Sequence, residues 1–151
     1  MKHTPAASSL SFAVSVVVTS LVGGLGGCAA PKSPSHLAAE GALGPYSAAV
    51  TAGDLVFVSG KIGKGGASVG QDVAAAIDAV EKELARVGLG LADVVSVNVF
   101  TTDLAAYAEL NEAYAQRFPK PYPARTTVGV SALPAGARVE IQAVAAARSR
   151  R

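Results

Sequence analysis

An uncharged apolar stretch near the N-terminus limits how much of this chain can belong to a folded domain. No charged residue occurs between Leu10 and Gly27, and the stretch follows a short positive segment that contains Lys2 and His3. A basic start followed by an apolar run is typical of a targeting segment that is removed from the mature protein. We therefore expect the folding unit in roughly the last 110 residues, which is enough for one small domain.

The end of this stretch resembles the lipobox of bacterial lipoproteins. Leu25-Gly26-Gly27-Cys28 places small residues directly before the only cysteine of the chain. The resemblance implies a signal peptide over residues 1–27 and lipid attachment at Cys28. Because Ala29 follows, rather than the Asp that resembles an inner-membrane retention signal, it implies the periplasmic side of the outer membrane. An ordinary secretory signal and an uncleaved transmembrane anchor are the alternatives.

Residues 28–43 connect the lipid-attachment cysteine to the domain in this interpretation. They contain Pro31, Ser33, Pro34 and Gly41 and few large apolar side chains. Such a composition predicts a flexible tether without fixed structure. The domain itself is then expected over residues 44–151.

The composition of the domain excludes several kinds of chemistry. From Gly44 onward the chain has no Cys and no His, which removes thiol nucleophiles, disulfides, His-activated nucleophiles and the usual zinc ligands. The net charge is only +2, and no basic stripe interleaved with aromatic residues runs through the chain. A nucleic-acid partner is therefore not expected.

The spacing of apolar residues predicts an α+β domain with the element order ββ-α-β-α-ββ. The predicted strands cover residues 46–51, 55–59, 94–101, 125–131 and 137–147. The predicted helix 72–87 has an apolar stripe of Val73, Ile77, Val80, Leu84 and Val87. The predicted helix 103–118 has Leu104, Tyr107, Leu110 and Tyr114 on one side. The glycine-rich run 61–70 is expected to be a loop. Two helices should cover one face of the sheet, and the other face is expected to associate with further copies.

Several short segments of the domain carry its most informative motifs. The most specific are Pro123-Ala124-Arg125-Thr126 and Leu133-Pro134-Ala135-Gly136-Ala137-Arg138-Val139-Glu140-Ile141, and others are Gly44-Pro45-Tyr46-Ser47, Gly53-Asp54-Leu55-Val56-Phe57-Val58-Ser59-Gly60 and Leu110-Asn111-Glu112-Ala113-Tyr114. In residues and order these segments resemble the Rid/YjgF family of reactive-intermediate deaminases. The resemblance implies a chorismate-mutase-like fold and a homotrimer with a small pocket at each subunit interface. It also implies hydrolysis of 2-imino acids, or their enamine tautomers, to 2-keto acids and ammonia without a cofactor or a metal.

The resemblance also implies roles for individual residues. The family's carboxylate-binding arginine falls on Arg125, and its acid that orients or activates water falls on Glu140. Five pocket-lining positions fall on Tyr46, Ser59, Gly60, Asn111 and Thr127. The chemistry of these side chains suits the roles, since a guanidinium can hold a carboxylate through two parallel N–H···O bonds. A carboxylate can in turn take a proton from water that attacks an imine carbon.

Other interpretations of the same residues stay open at this point. An Arg at the start of a strand is typical of a surface charge, and a Glu in an alternating strand is typically the solvent-facing member. Arg125 and Glu140 could also form a salt bridge. Lys61 stands where the family usually has Gln, and the 61–70 loop is short, so both bear on substrate preference and the pocket rim. The alternative function is a non-catalytic envelope protein that binds a small carboxylate.

Overall fold

The computed structural model describes Met1 and residues 33–147. The chain divides into two units, Met1–Ala30 and Pro31–Arg151, and every element described below belongs to the second unit. The rest of the predicted signal peptide, Cys28 and the last four residues lie outside the described residues. Within the described part of the chain, no helix is long and apolar enough to cross a membrane.

Six strands form one sheet in the order β1-β2-β3-β6-β4-β5. The strands are β1 Ser35–Ala38, β2 Ser47–Ala52, β3 Leu55–Gly63, β4 Val94–Thr101, β5 Ala124–Gly129 and β6 Val139–Ala146. Only the β4–β5 pair is parallel, and the other pairs are antiparallel. Two helices, α1 Val69–Ala85 and α2 Tyr107–Arg117, complete the domain. The last two strands are therefore not neighbours, because β6 inserts between β3 and β4.

The limits of α1 follow from its end residues and its apolar stripe. The hydroxyl of Ser68 accepts a hydrogen bond from the Gln71 backbone N–H at 3.3 Å and caps the first turn. The predicted stripe is confirmed. Its fully buried members are Val73, Ile77, Val80 and Leu84, and Val87 is partly buried. The helix ends at Ala85, and Gly88 follows with φ of +76°, a conformation that glycine adopts readily.

The core lies between the helices and one face of the sheet. Alternate residues of β6 are buried on this face, namely Val139, Ile141, Ala143 and Ala145, whereas Glu140 and Gln142 point to the other face. That other face has no cover within the described residues, and Leu55, Phe57 and Val128 are 39%, 40% and 41% exposed on it. The prediction that the helices cover one sheet face is confirmed.

The predicted tether is wrong over Ser35–Ala38. These residues form β1, which pairs antiparallel with β2 at the edge of the sheet. His36 belongs to this strand, and its Nδ1 lies 3.2 Å from Ser47 Oγ, so the domain begins before Gly44 and contains a histidine. Backbone pairing at a sheet edge does not require apolar side chains, which explains why the composition of this segment gave no sign of a strand.

Other element boundaries also differ from the prediction. The loop at 61–70 is shorter than predicted, since β3 continues to Gly63 and α1 begins at Val69. Helix α2 begins at Tyr107, because the Asp103 carboxylate accepts hydrogen bonds from the Ala105 and Ala106 backbone N–H groups and caps a preceding turn. As a result Leu104 and Tyr107, predicted on the apolar side of this helix, are exposed.

Candidate active site

Arg125 lies near the start of β5 on the helix-covered side of the sheet. Its register partner on β4 is Val97, which belongs to the core. Arg125 Nη2 donates to Asn111 Oδ1 at 2.6 Å and to Tyr107 Oη at 3.3 Å, and the guanidinium carbon lies 4.6 Å from the centre of the Tyr114 ring. These three α2 residues are spaced by four and three positions, so one face of α2 holds the guanidinium.

The charge of Arg125 is left uncompensated by these contacts. Both hydrogen bonds use Nη2, and both acceptors are neutral oxygens. No carboxylate of the described residues forms an ion pair with Arg125. Nε and Nη1, which lie on different edges of the guanidinium, therefore remain free to donate to an incoming carboxylate.

The surroundings of Arg125 form an open cavity of about 370 Å³ that Asn111, Tyr114 and Tyr122 also line. With Tyr107 these residues make up what we call the Arg125 half-site: Tyr107, Asn111, Tyr114, Tyr122 and Arg125. Burial raises the pKa of Tyr114 to about 12, against the lowering effect of the Arg125 charge, so this hydroxyl stays neutral at physiological pH. Neither Tyr114 Oη nor Thr127 Oγ1 has a hydrogen-bond partner in the described part of the chain. Thr127 lies two residues after Arg125, on the same face of β5.

Glu140 lies on the uncovered face of the sheet. Its neighbours Val139 and Ile141 are fully buried on the opposite face, so the strand alternation turns the carboxylate away from the core. No donor or cation among the described residues is bonded to this carboxylate. It borders a cavity of about 180 Å³ whose other lining residues are Leu43, Tyr46, Ser59, Gly60, Ile62 and Pro134. We call Tyr46, Ser59, Gly60, Ile62 and Glu140 the Glu140 half-site.

A bulge in β3 brings backbone against the Glu140 side chain. The register between β3 and β6 shifts between Val58 and Lys61, and Gly60 lies inside this irregularity. A Cβ at Gly60 would overlap Oε1 of Glu140, so any side chain at this position would push the Glu140 carboxylate out of its place. The Ser59 hydroxyl donates to the Ser47 carbonyl at 2.7 Å and ties the bulge to β2.

Lys61 does not line either half-site cavity, so the expectation that it bears on the pocket rim is wrong. The bulge places it opposite the buried Ile141, on the helix-covered side. There its Nζ donates to Glu83 Oε1 of α1 at 2.9 Å, and Arg86 bonds the other oxygen at 2.6 Å. Burial acts to raise the pKa of Glu83, but hydrogen bonds and charge from Lys61 and Arg86 lower it below its ordinary value. Lys61 therefore fastens β3 to α1.

Within one chain the predicted site residues lie in two groups. One group lies on the helix-covered side, where Arg125 contacts Asn111 and Thr127 lies on the same strand face as Arg125. The other group lines the second cavity and contains Tyr46, Ser59, Gly60 and Glu140. The two cavities share no lining residue. The salt bridge between Arg125 and Glu140, considered as an alternative above, is not formed within the described residues.

The aromatic residues around Arg125 were not predicted from the sequence as part of the site. Tyr107 and Tyr114 share one face of α2 with Asn111, and this spacing was a signal that could have linked them to the site. Their apolar rings instead suggested core positions. Across the residues that the structure describes, no group of three or more His, Cys, Asp or Glu side chains is placed to hold a metal ion.

Comparison with known proteins decides the family. The family model described as Endoribonuclease L-PSP matches residues 37–147. The chain belongs to this family. It is 42% identical over 113 residues to the RutC family protein y4sK of Sinorhizobium fredii, a match that covers 70% of this chain and 90% of the relative. It is 36% identical over 114 residues to the human 2-iminobutanoate/2-iminopropanoate deaminase, which covers 71% of this chain and 83% of the relative.

A solved structure agrees with the family assignment. The crystal structure of Escherichia coli TdcF with bound serine matches this chain with a TM-score of 0.66 and 34% identity, covering 74% of this chain and 94% of that one. The predicted chorismate-mutase-like α+β fold of the Rid/YjgF family is confirmed. The family match begins at residue 37, inside β1, in agreement with the corrected domain boundary.

Proposed function

We propose that the protein hydrolyses 2-imino acids, or their enamine tautomers, to 2-keto acids and ammonia. The observation that carries the proposal is a pair of unpaired opposite charges, each lining its own cavity. Arg125 keeps two nitrogens, Nε and Nη1, without an acceptor, and Glu140 keeps a carboxylate with no bonded partner in the described residues. Unpaired charges in clefts are candidates for substrate contacts. Relatives named as imine deaminases support this class of reaction.

The two charges must come from different copies of the chain to act on one small substrate. Arg125 and Glu140 lie on opposite faces of the sheet, so a single chain does not present both to one ligand. We infer a homotrimer in which the Arg125 half-site of one subunit faces the Glu140 half-site of the next, giving three sites. A ring of three copies repeats one such interface by rotation. The uncovered sheet face, with Phe57 and Val128 exposed, offers apolar surface for this association.

Arg125 holds the substrate carboxylate in the proposed mechanism. The N–H groups of Nη1 donate to the substrate carboxylate, while Asn111 and Tyr107 keep the guanidinium plane fixed through Nη2. The Tyr114 ring supports the cation from one side. Because these contacts exist without substrate, little ordering is required when the carboxylate arrives.

Glu140 of the partner subunit activates the water. Its carboxylate takes a proton from water as the water oxygen bonds to the imine carbon, and a tetrahedral carbinolamine forms. Glu140 passes this proton to the nitrogen, and the carbinolamine hydroxyl then gives its own proton through Glu140 to the same nitrogen. The carbon–nitrogen bond breaks as the carbon–oxygen double bond of the 2-keto acid forms, and the nitrogen leaves as ammonia. One imine and one water give one keto acid and one ammonia, with no change of oxidation state. General-base assistance of this kind contributes about 10²–10⁴-fold in rate.

We also propose that Cys28 carries lipid and holds the domain on the periplasmic side of the outer membrane. The support is in the sequence, where an uncharged apolar run and small residues precede the single cysteine. Mass spectrometry of the membrane-purified protein should find acyl chains on an N-terminal Cys28. The added mass should disappear, and the protein should leave the membrane, in Cys28→Ser.

The experiment that tests the proposed reaction uses freshly generated 2-iminopropanoate and the chain from Cys28 onward. Keto-acid formation should be accelerated, and Arg125→Ala should lower kcat/KM by roughly 10- to 150-fold, the value of a charge-assisted contact. Lys64→Ala is the matched control, because Lys64 is exposed and lines neither half-site. The comparisons favour this catalytic interpretation over carboxylate binding without turnover. Saturable pyruvate binding by a folded protein that does not accelerate hydrolysis would support the binding function instead.

A further inference from the structure

The cavity beside Arg125 is larger than a small 2-imino acid requires. Its volume is about 370 Å³, and pockets of about 300–1,000 Å³ are those that bury drug-sized ligands. 2-Iminopropanoate carries only a methyl group beyond the carbon that reacts. A carboxylate bound to Arg125 therefore leaves most of this cavity to the side chain of the substrate.

The residues that line this cavity form a polar end and an apolar remainder. Arg125 and Asn111 are bonded to each other at 2.6 Å, so the two polar side chains lie together. The other lining residues contribute aromatic rings and aliphatic groups, and they are Tyr114, Ala115, Tyr122 and Pro123. Arg125 carries the only charge among the lining residues. A ligand that matches this arrangement has an anionic group at one end and a large apolar body.

Two tyrosine rings beside the guanidinium are arranged to receive an aromatic group. The Tyr114 ring centre lies 4.6 Å from the guanidinium carbon of Arg125. The Tyr122 ring centre lies 6.5 Å from that of Tyr114, at an interplanar angle of 59°. Aromatic rings favour such tilted contacts at about 4.5–7 Å, so a third ring in the cavity can join this pair. We call Tyr114, Tyr122 and Pro123 the aromatic shelf.

The two rings of the aromatic shelf differ in how much of each a ligand can reach. Tyr114 is 4% exposed and stacks on Phe118 with the ring centres 4.4 Å apart, so it is a fixed wall. Tyr122 is 46% exposed, and the Lys120 Nζ lies 5.8 Å from its ring centre. Part of the Tyr122 ring is therefore open to a ligand, and this ring is the one that a substitution can test.

The position of the cavity leaves the reacting atoms accessible. It lies between α2 and the segment that leads into β5, and β5 is an edge strand of the sheet. It shares no lining residue with the cavity of the Glu140 half-site. A side chain on the aromatic shelf therefore does not occupy the space next to the carboxylate that activates water.

We propose that the aromatic shelf selects 2-imino acids with an aromatic side chain as the substrates. The carboxylate binds to Arg125, and the aromatic ring packs against Tyr122 and Tyr114. The imine carbon stays outside the shelf, where water activated by Glu140 of the next subunit can reach it. Since this substrate class belongs to the reaction proposed above, it rests on that proposed function. Burying a phenyl-sized side chain, rather than leaving it in water, raises affinity by about 10- to 150-fold.

Binding of two keto acids tests the aromatic shelf separately from turnover. Calorimetry on the chain from Cys28 onward should show phenylpyruvate bound at least about tenfold more tightly than pyruvate. Tyr122→Ala should weaken phenylpyruvate binding by about five- to tenfold and change pyruvate binding less than about twofold, because only the larger ligand reaches the ring. The matched control is Leu104→Ala, which truncates another exposed apolar side chain that lines neither half-site cavity. It should leave the affinity for both keto acids unchanged.

Hydrolysis measures the same preference during turnover. The kcat/KM for 2-imino-3-phenylpropanoate should exceed that for 2-iminopropanoate by about tenfold, and Tyr122→Ala should remove most of this advantage. Hydrolysis of both imines at equal kcat/KM, with equal affinity for the two keto acids, would overturn the inference and leave the proposed reaction standing. A preference for the phenyl compounds that persists in Tyr122→Ala would also overturn it, because the ring would then bind at another place. Absence of hydrolysis for both imines, with the preference for phenylpyruvate intact, would instead refute the proposed reaction and support the shelf as a site for aromatic side chains.

Discussion

The Arg125 half-site and the Glu140 half-site are built in different ways. Arg125 is held by hydrogen bonds and a ring contact from residues of α2, so its position is fixed within the chain. Glu140 is placed by strand alternation and by the close approach of Gly60, and the described residues give its carboxylate no bonded partner. The Arg125 guanidinium is therefore positioned for binding before the substrate arrives, whereas the Glu140 carboxylate is free to accept a proton.

This difference has a consequence for kinetics. A fixed guanidinium contributes to the affinity for the substrate carboxylate in the ground state as well as in the transition state, and its supporting residues should act mainly on KM. A free carboxylate that takes a proton only during the reaction should act mainly on kcat. Substitutions in the two half-sites should therefore separate along these two parameters.

The largest effect is expected for Glu140→Gln. The amide keeps the shape of the side chain but cannot accept a proton from water, so kcat should fall by about 10²–10⁴-fold with little change in KM. Steady-state kinetics with 2-iminopropanoate measures both parameters. A raised KM with unchanged kcat would instead make Glu140 a binding residue and would remove the contrast between the half-sites.

A smaller effect, on KM instead of kcat, is expected for Asn111→Ala. This variant removes the 2.6 Å hydrogen bond that fixes the guanidinium, and KM should rise roughly tenfold because a hydrogen bond to a charged group is lost. The neighbouring Glu112→Ala is the control, since Glu112 is exposed on the same helix and lines neither half-site cavity. A loss confined to kcat would contradict the role of Asn111 in carboxylate binding.

The ion pair between Lys61 and Glu83 fastens β3, next to the Gly60 bulge, to α1. It is expected to contribute to the free energy of unfolding. Glu83 has a lowered pKa in the folded protein, so it contributes stability above its unfolded value near 4.5, and this contribution is lost as the pH falls through the lower folded value. Glu83→Gln should therefore destabilise the protein by about 1 kcal/mol at neutral pH. Urea unfolding should show this difference shrinking between pH 5 and pH 3. A difference that stays constant over this range would indicate that packing, rather than the ion pairs, is lost.

The smallest effect is expected for Tyr114→Phe. The hydroxyl is buried without a partner in the described residues, and its pKa of about 12 keeps it neutral. Removing it relieves an unsatisfied polar group, so thermal unfolding should show a stability unchanged or raised by up to about 1 kcal/mol. The ring contact with Arg125 remains, and KM should stay within about twofold. A large loss of activity would show that the hydroxyl takes part in binding.

Elements with a strong apolar pattern were predictable from the sequence. The β4 strand has the predicted bounds, and the α1 stripe packs as expected, because each is determined by side chains that must be buried together. β1 was not predictable, since the pairing of an edge strand depends on a neighbouring backbone and not on its own composition. The bulge at Gly60 likewise arises in the pairing of β3 with β6, a strand that follows about 80 positions later.

The site was only partly predictable for a similar reason. The resemblance to the family selected Arg125 and Glu140, but the face on which each side chain lies depends on the register of β5 and β6 against β4. Register is set by contacts between segments far apart in the chain. The separation of the site into two halves therefore became visible only with the sheet.

Complementation between two inactive variants tests the composite site most directly. Arg125→Ala and Glu140→Gln are co-expressed with different tags, and assemblies that carry both tags are assayed with 2-iminopropanoate. If each site takes Arg125 from one copy and Glu140 from the next, every trimer that carries both tags has one intact site, about one third of the wild-type sites. The account predicts activity near this level, far above either variant alone. Activity no higher than that of the separate variants, in assemblies shown to contain both chains, would contradict it.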